Sequence, residues 1–315
     1  MIRASIGSAM KDSYAAILRD AAKARWDLDE VTAAVDEMNF YRPFLPASMV
    51  HSHRLPFLKL AQRLTLNHIR AHSYLQFFAL VEKFIIPFVM GEAGHRLHRN
   101  TEELLALLQF GQEEAKHIAL FESFARAFEI GFGSHCDVIG PASQVAAKVL
   151  AQEPLGVGLS VLHIEWMTQE HYVRAARDDS EIDPQFQKLL RCHWQEEAQH
   201  ARLDGLLLSS LARRLSPYQR QRGVQGYLEI IEVLSSVLEQ QVELDLAAFQ
   251  EIAGPLSEEH RACWRVEQTA SYHETLLHQG MSHPRFQQFV QEYLPQQQAA
   301  VAEATGRFQL PARFG

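Results

Sequence analysis

The hexapeptide "QEEAKH", Gln112 to His117, returns 83 positions later as "QEEAQH", Gln195 to His200. The same offset carries Glu82, the one acid inside the apolar run "FFALVEKFII", onto Glu165. The chain therefore writes one pattern twice, a lone Glu followed 32 positions later by Glu-x-x-His: Glu82, Glu114, His117 and then Glu165, Glu197, His200. A third Glu-x-x-His, Glu92 to His95, has no counterpart, because the positions 83 further on are Ala175 and Asp178. The repeat constrains the fold because it pairs whole segments rather than short motifs.

The spacing of 32 has a helical explanation. From Glu82 the chain rises for about fifteen residues at about 1.5 Å each to a turn near Leu97–Asn100, then descends about as far to Glu114, so the two carboxylates return to one height. The second copy does the same from Glu165, over a turn at Asp178–Pro184, to Glu197. Residues three apart share a helix face, so each Glu-x-x-His can aim carboxylate and imidazole at one point. Two hairpins then supply four carboxylates and two imidazoles, the inventory of a dinuclear site in a four-helix bundle. Glu82 strengthens this reading, because an unpaired carboxylate among core residues is costly and needs a partner such as a cation.

Helical periodicity runs through most of the chain: Leu60–Val89, Glu102–Phe132, Leu155–Ala176, Phe186–Leu211 and Tyr218–Ile252 repeat apolar residues at three and four, and no convincing alternating strand interrupts them. Punctuation falls between these segments, at Asn100 with Glu103 as a capping box, at "GFGSHCDVIGP", at Asp183-Pro184 and at "AGP" from Ala253. The class is all-α. We divide the chain into an N-terminal helical cap over 1–55, a four-helix bundle of two hairpins over 56–215, and a C-terminal helical extension over 216–315 packed on the bundle. The Gln-rich "QEYLPQQQ" reads as a fraying end.

A net charge of −8 and a pI of about 6.1 remove the basic footprint of nucleic-acid binding. The first twenty residues carry no apolar leader core, and the most apolar stretch is interrupted by Glu82 and Lys83, so the expectation is a soluble, cytoplasmic chain with no membrane partner. Three cysteines without a CxxC pair offer neither a disulfide framework nor a sulfur-ligated metal site. Hard carboxylates with a few imidazoles suit iron or manganese.

These residues resemble the ligand set of the ferritin-like di-iron carboxylate superfamily over roughly residues 60–211. One more residue narrows the resemblance. His193, four before Glu197, gives "HWQEEAQH", which is similar to the p-aminobenzoate N-oxygenase type, where an additional histidine ligates one iron. The matching first-half position is Phe110, so such a ligand serves one metal only; the alternative for His193 is a core or outer histidine. The resemblance implies two iron ions, with an iron–manganese pair also fitting, held by Glu82, Glu114, His117, Glu165, His193, Glu197 and His200. It implies an O2-dependent oxygenase or oxidase acting on a small organic substrate, with N-oxygenation of an amine as the leading subtype. Electrons come from the substrate or an external donor. No GxGxxG or other flavin or nicotinamide signature occurs.

Departures exclude neighbours. Where radical-bearing ribonucleotide reductase subunits typically place a Tyr one turn after the first Glu-x-x-His, this chain has Phe121. Ferritins and rubrerythrins carry their site in a chain about half as long. The added segments either cover the mouth of a substrate cavity or merely bury bundle faces or form a homodimer interface. Around Glu82 the helical neighbours are apolar, whereas Glu165 is followed by Thr168 and Tyr172, which the sequence offers as the oxygen or substrate side against the alternative of ordinary packing. Asp204, one turn after His200, is placed to accept the free imidazole N–H, with a surface role as its alternative. Glu113 and Glu196 sit about 100° round from the ligands and are left out. Glu170 and His171 stand as substitutes for Glu165. Two other functions stay open, a ferroxidase that turns over Fe(II) itself and a non-catalytic scaffold stabilised by metal.

Overall fold

The computed structural model describes residues 13–98 and 100–310; the first part of the N-terminal cap expected over 1–55, residues 1–12, lies outside them. Nine described helices reach ten residues: α1 Tyr14–Ala24, α2 Leu60–Gly94, α3 Thr101–Phe132, α4 Pro154–Glu170, α5 Pro184–Arg214, α6 Pro217–Ala253, α7 Glu258–His273, α8 Pro284–Tyr293 and α9 Gln298–Arg307. Among the described residues there is no strand. The two expected hairpins are α2–α3 and α4–α5, each pair packed along its length.

Local chemistry sets where the helices begin and end. Asn100 caps α3 by accepting from the amides of Glu102 and Glu103, at 3.0 and 3.4 Å. The Glu103 side chain does not close a capping box; it accepts from Arg96 and Tyr14 instead. Asp183 caps α5 through the amides of Gln185 and Phe186, both at 2.9 Å, with Pro184 in the first turn. Gly133 ends α3 at φ +70°, the left-handed conformation that favours glycine. The segment expected as one helix to Ala176 changes pitch: beyond Glu170 it continues as a π-helix, His171–Ala176.

α2 is apolar on nearly every face because it is enclosed by α3, α4 and α6. By length and composition alone it could cross a membrane, with a window of mean hydropathy 1.4, but 67% of that window is buried inside the protein.

The C-terminal helices are tied to this core by polar as well as apolar contacts. Asp245 on α6 accepts from Ser73 on α2 and Gln241, each at 2.8 Å, and from Tyr272 on α7 at 2.6 Å. The Arg70 guanidinium lies 3.3 Å from the Tyr272 ring centroid and donates to Gln268. α6 and α4 meet backbone to backbone: a Cβ on Gly156 would stand 2.7 Å from the Gly223 carbonyl oxygen and 2.9 Å from the Tyr227 nitrogen. Gly156→Ala is therefore expected to lose about 1–3 kcal/mol by overpacking, more than the helix propensity it gains, which denaturant melts of the two proteins will show.

The Gln-rich end does not fray. Leu294 is fully buried, Pro295–Gln297 form a turn, and α9 follows with Val301 and Ala304 in the core. The glutamines occupy the turn and the start of α9, while apolar residues at 294, 301 and 308 anchor the segment.

Candidate metal centre

The bundle brings the seven expected residues into one interior region. Glu82 comes from α2, Glu114 and His117 from α3, Glu165 from α4, and His193, Glu197 and His200 from α5; none is more than 2% exposed. His117 Nδ1 lies 2.9 Å from Glu197 Oε1 and 3.6 Å from Glu114 Oε2. His200 Nδ1 lies 2.8 Å from Glu114 Oε1 and 3.1 Å from Glu197 Oε2. His193 turns its other nitrogen inward, with Nε2 at 2.7 Å from Glu197 Oε1 and 3.2 Å from Glu82 Oε1. Two groups able to hold a metal result, Glu82, His117, His193, Glu197 and Glu114, His117, Glu197, His200, each with donor atoms within 4.8 Å of one another. Glu165 stands outside both groups but feels Glu197, His200 and Glu114.

The donor chemistry fits two cations. Glu82 Oε2, Glu197 Oε1 and both oxygens of Glu114 and of Glu165 are buried with no donor outside the cluster itself, and His117 Nδ1 faces only its carboxylates. Carboxylate oxygens only accept, so carboxylates packed this closely need shared protons or cations between them. The electrostatics record that need. Burial, then the charge of Glu114, holds the Glu82 carboxyl well above the usual range; burial, then Glu197, does the same to Glu165. Glu114 is drawn down to about 2 and Glu197 well below the usual carboxylate range: burial opposes both shifts, and hydrogen bonds from Glu82 and Glu165 with the neighbouring imidazoles outweigh it. His117 and His200 are held well above the ordinary imidazole range, against burial, chiefly by the Glu197 charge.

The outward nitrogens are held across the bundle, not along one helix. His117 Nε2 donates to Glu196 Oε2 on α5 at 3.0 Å, and His200 Nε2 donates to Glu113 Oε2 on α3 at 2.9 Å. Each hexapeptide thus supplies a ligand-type Glu, an imidazole, and a carboxylate that fixes the tautomer of the other hexapeptide's imidazole. This corrects two sequence expectations. Glu113 and Glu196 belong to the site, because the 100° that turns them off their own ligand face turns them toward the facing helix. Asp204 does not accept from His200; it is fully buried with both oxygens unpartnered.

The remaining candidates are engaged in other contacts. Thr168 spends its hydroxyl on the Ile164 carbonyl at 3.1 Å. The Tyr172 ring is buried against Trp194, centroids 4.7 Å apart, on the stretch of π pitch after Glu170, and its hydroxyl sits in the field of Arg191, Arg177 and Asp178. His171 bridges the Tyr74 hydroxyl and the Thr275 carbonyl, and Glu170 pairs with Arg174 and His283, so neither substitutes for Glu165.

The two halves differ in their lining. His193 is enclosed by Phe78, Phe121 and His117, with ring centroids at 5.2, 4.8 and 4.7 Å. Phe110, at the matching position of the first half, packs on His200 at 4.2 Å. The Phe121 that replaces a radical-type tyrosine is thus part of the wall around His193.

A protein-family model described as P-aminobenzoate N-oxygenase AurF matches residues 13–275. No curated protein matches the chain.

Proposed function

The chain belongs to the P-aminobenzoate N-oxygenase AurF family, a di-iron oxygenase family, and on that premise we propose that it oxygenates the nitrogen of a small organic amine. Two bound irons supply the O2 chemistry. The reading rests on one observation above all, the buried carboxylates of Glu82, Glu114, Glu165 and Glu197 that face three imidazoles and have no hydrogen-bond donor outside this cluster. In this reading Glu82, His117, His193 and Glu197 would hold one iron, and Glu114, Glu165, His200 and the shared Glu197 the other.

Each residue's chemistry follows from its place. Glu113 and Glu196 hold the imidazole protons on Nε2 and leave Nδ1 of His200 and His117 free to ligate. The phenylalanines around His193 exclude water, which strengthens every charge interaction inside. Burial pushes the Asp204 carboxyl, one turn beyond His200, well above its usual range. Three unpaired cysteines suit a reducing, cytoplasmic setting.

Anaerobic Fe(II) loading followed by O2, with a panel of amines, tests the proposal. An O2-dependent visible absorption whose decay an arylamine accelerates is the expected result. Absence of any O2-dependent change would sink the oxygenase reading, and a band that no amine accelerates favours an iron-handling protein. His193→Ala is expected to change this spectrum and to bring iron from about two toward about one per chain. Unchanged stoichiometry and spectrum would remove His193 from the site.

A further inference from the structure

We propose that Lys116 makes the two imidazoles unequal, so that His200 is the stronger electron donor of the pair and the metal position beside it the more readily oxidised. The inference rests on the reading that His117 and His200 are ligands.

The two outer carboxylates use their oxygens in parallel. Glu113 accepts from His200 with Oε2 and from the Gln109 amide, at 2.9 Å, with Oε1. Glu196 accepts from His117 with Oε2, but its Oε1 is paired with the Lys116 ammonium. One relay therefore ends on a neutral amide and the other on a cation. A carboxylate bonded to an imidazole N–H raises the basicity of the opposite nitrogen. A cation on that carboxylate withdraws the effect, most strongly where water is excluded, and the Glu196 side chain is wholly buried.

The repeat traces this difference to one pair of matching positions. The residue 83 positions beyond Lys116 is Gln199, which stands among Glu113 and His200 around a small void and accepts from Arg202 at 2.7 Å. No ammonium reaches Glu113 there. On its own side Lys116 is fixed by two more contacts, the Trp26 carbonyl at 3.2 Å and the Trp26 ring at 3.9 Å, while Trp26 stacks on His117 with centroids 6.1 Å apart. Lys116 and Trp26 also line a groove of about 710 Å³, so the cation sits between the His117 relay and the outside.

Proton NMR of the Co(II)-loaded protein reads the two ligands separately, through their exchangeable, paramagnetically shifted Nε2–H signals. Glu113→Gln and Glu196→Gln assign them, each by moving the signal of its own partner. Two well-separated signals are expected in the wild type. Lys116→Gln is expected to shrink the separation by half or more, whereas Lys116→Arg retains it. Should Lys116→Gln fail to fold, Gln199→Lys sets a cation beside Glu113 and narrows the separation from the other side. A separation unchanged in both Lys116→Gln and Gln199→Lys, with cobalt bound as in the wild type, overturns the proposal. Failure of the wild type to take up two cobalt ions removes the ligand reading, and this inference with it.

Discussion

Glu197→Ala is expected to take iron from about two per chain to background and to abolish O2-dependent amine oxidation, a loss beyond the about 10–100-fold in affinity that removing an outer carboxylate costs. The reason is positional. Glu197 is the carboxylate that touches all three imidazoles, with His193 Nε2 at 2.7 Å, His117 Nδ1 at 2.9 Å and His200 Nδ1 at 3.1 Å, and it belongs to both metal-sized groups. Glu113→Gln provides the graded comparison. It keeps a hydrogen-bond acceptor for His200 but removes the charge, so iron affinity is expected to fall by about 10–100-fold with the fold intact. Iron analysis after gel filtration, with circular dichroism of the metal-free proteins, separates loss of metal from loss of structure. Equal effects of the two variants would contradict the distinction drawn between a shared ligand and an outer partner.

The second large effect is a pH dependence of metal stabilisation. Glu82, Glu165, His117 and His200 all bind protons more tightly in the folded, metal-free cluster than in the unfolded chain. The stability such groups contribute is fully present below their unfolded values and is lost as pH rises through their folded values. Glu114 and Glu197 have the opposite sign, contributing above the ordinary carboxylate range and losing that contribution only in acid. Near neutrality the first set governs, so the metal-free protein loses stability with rising pH. Fe(II) displaces the same protons. Its apparent affinity is therefore expected to rise about tenfold per pH unit for each proton displaced between about pH 6 and about pH 8. At about 100 times the dissociation constant each site adds about 2.7 kcal/mol. Anaerobic thermal melts across that range are expected to show a gain on adding Fe(II) that grows with pH, and a gain independent of pH would contradict protonated imidazoles in the metal-free cluster.

Sequence periodicity carried most of this fold, for a physical reason. The ligand-type residues lie on helix faces, and a helix converts spacing into height and direction, so an offset of 83 and a spacing of 32 locate them without tertiary information. Residues whose partners lie on another helix were less visible. Glu113 and Glu196 are misplaced by any argument confined to one helix, since only the facing helix gives them an imidazole to hold. Their signal was present all the same, in that both hexapeptides repeat "EE" and not one Glu. Asp204 fails for the same reason, because the His200 N–H reaches across to α3 and not along α5. Tyr172 packs on Trp194 where the helix changes to π pitch, a change that the apolar spacing does not announce. At the C-terminal end composition misled where spacing would not, since Leu294, Val301 and Phe308 recur every seven residues beneath the glutamines.

Anomalous diffraction at the iron edge from crystals of the Fe(II)-loaded protein tests the central claim most directly. The account predicts two peaks inside the bundle, one among Glu82, His117, His193 and Glu197, the other among Glu114, Glu165, Glu197 and His200, with Glu113 and Glu196 touching only imidazoles. A single peak, or iron bound without Glu197, would contradict it.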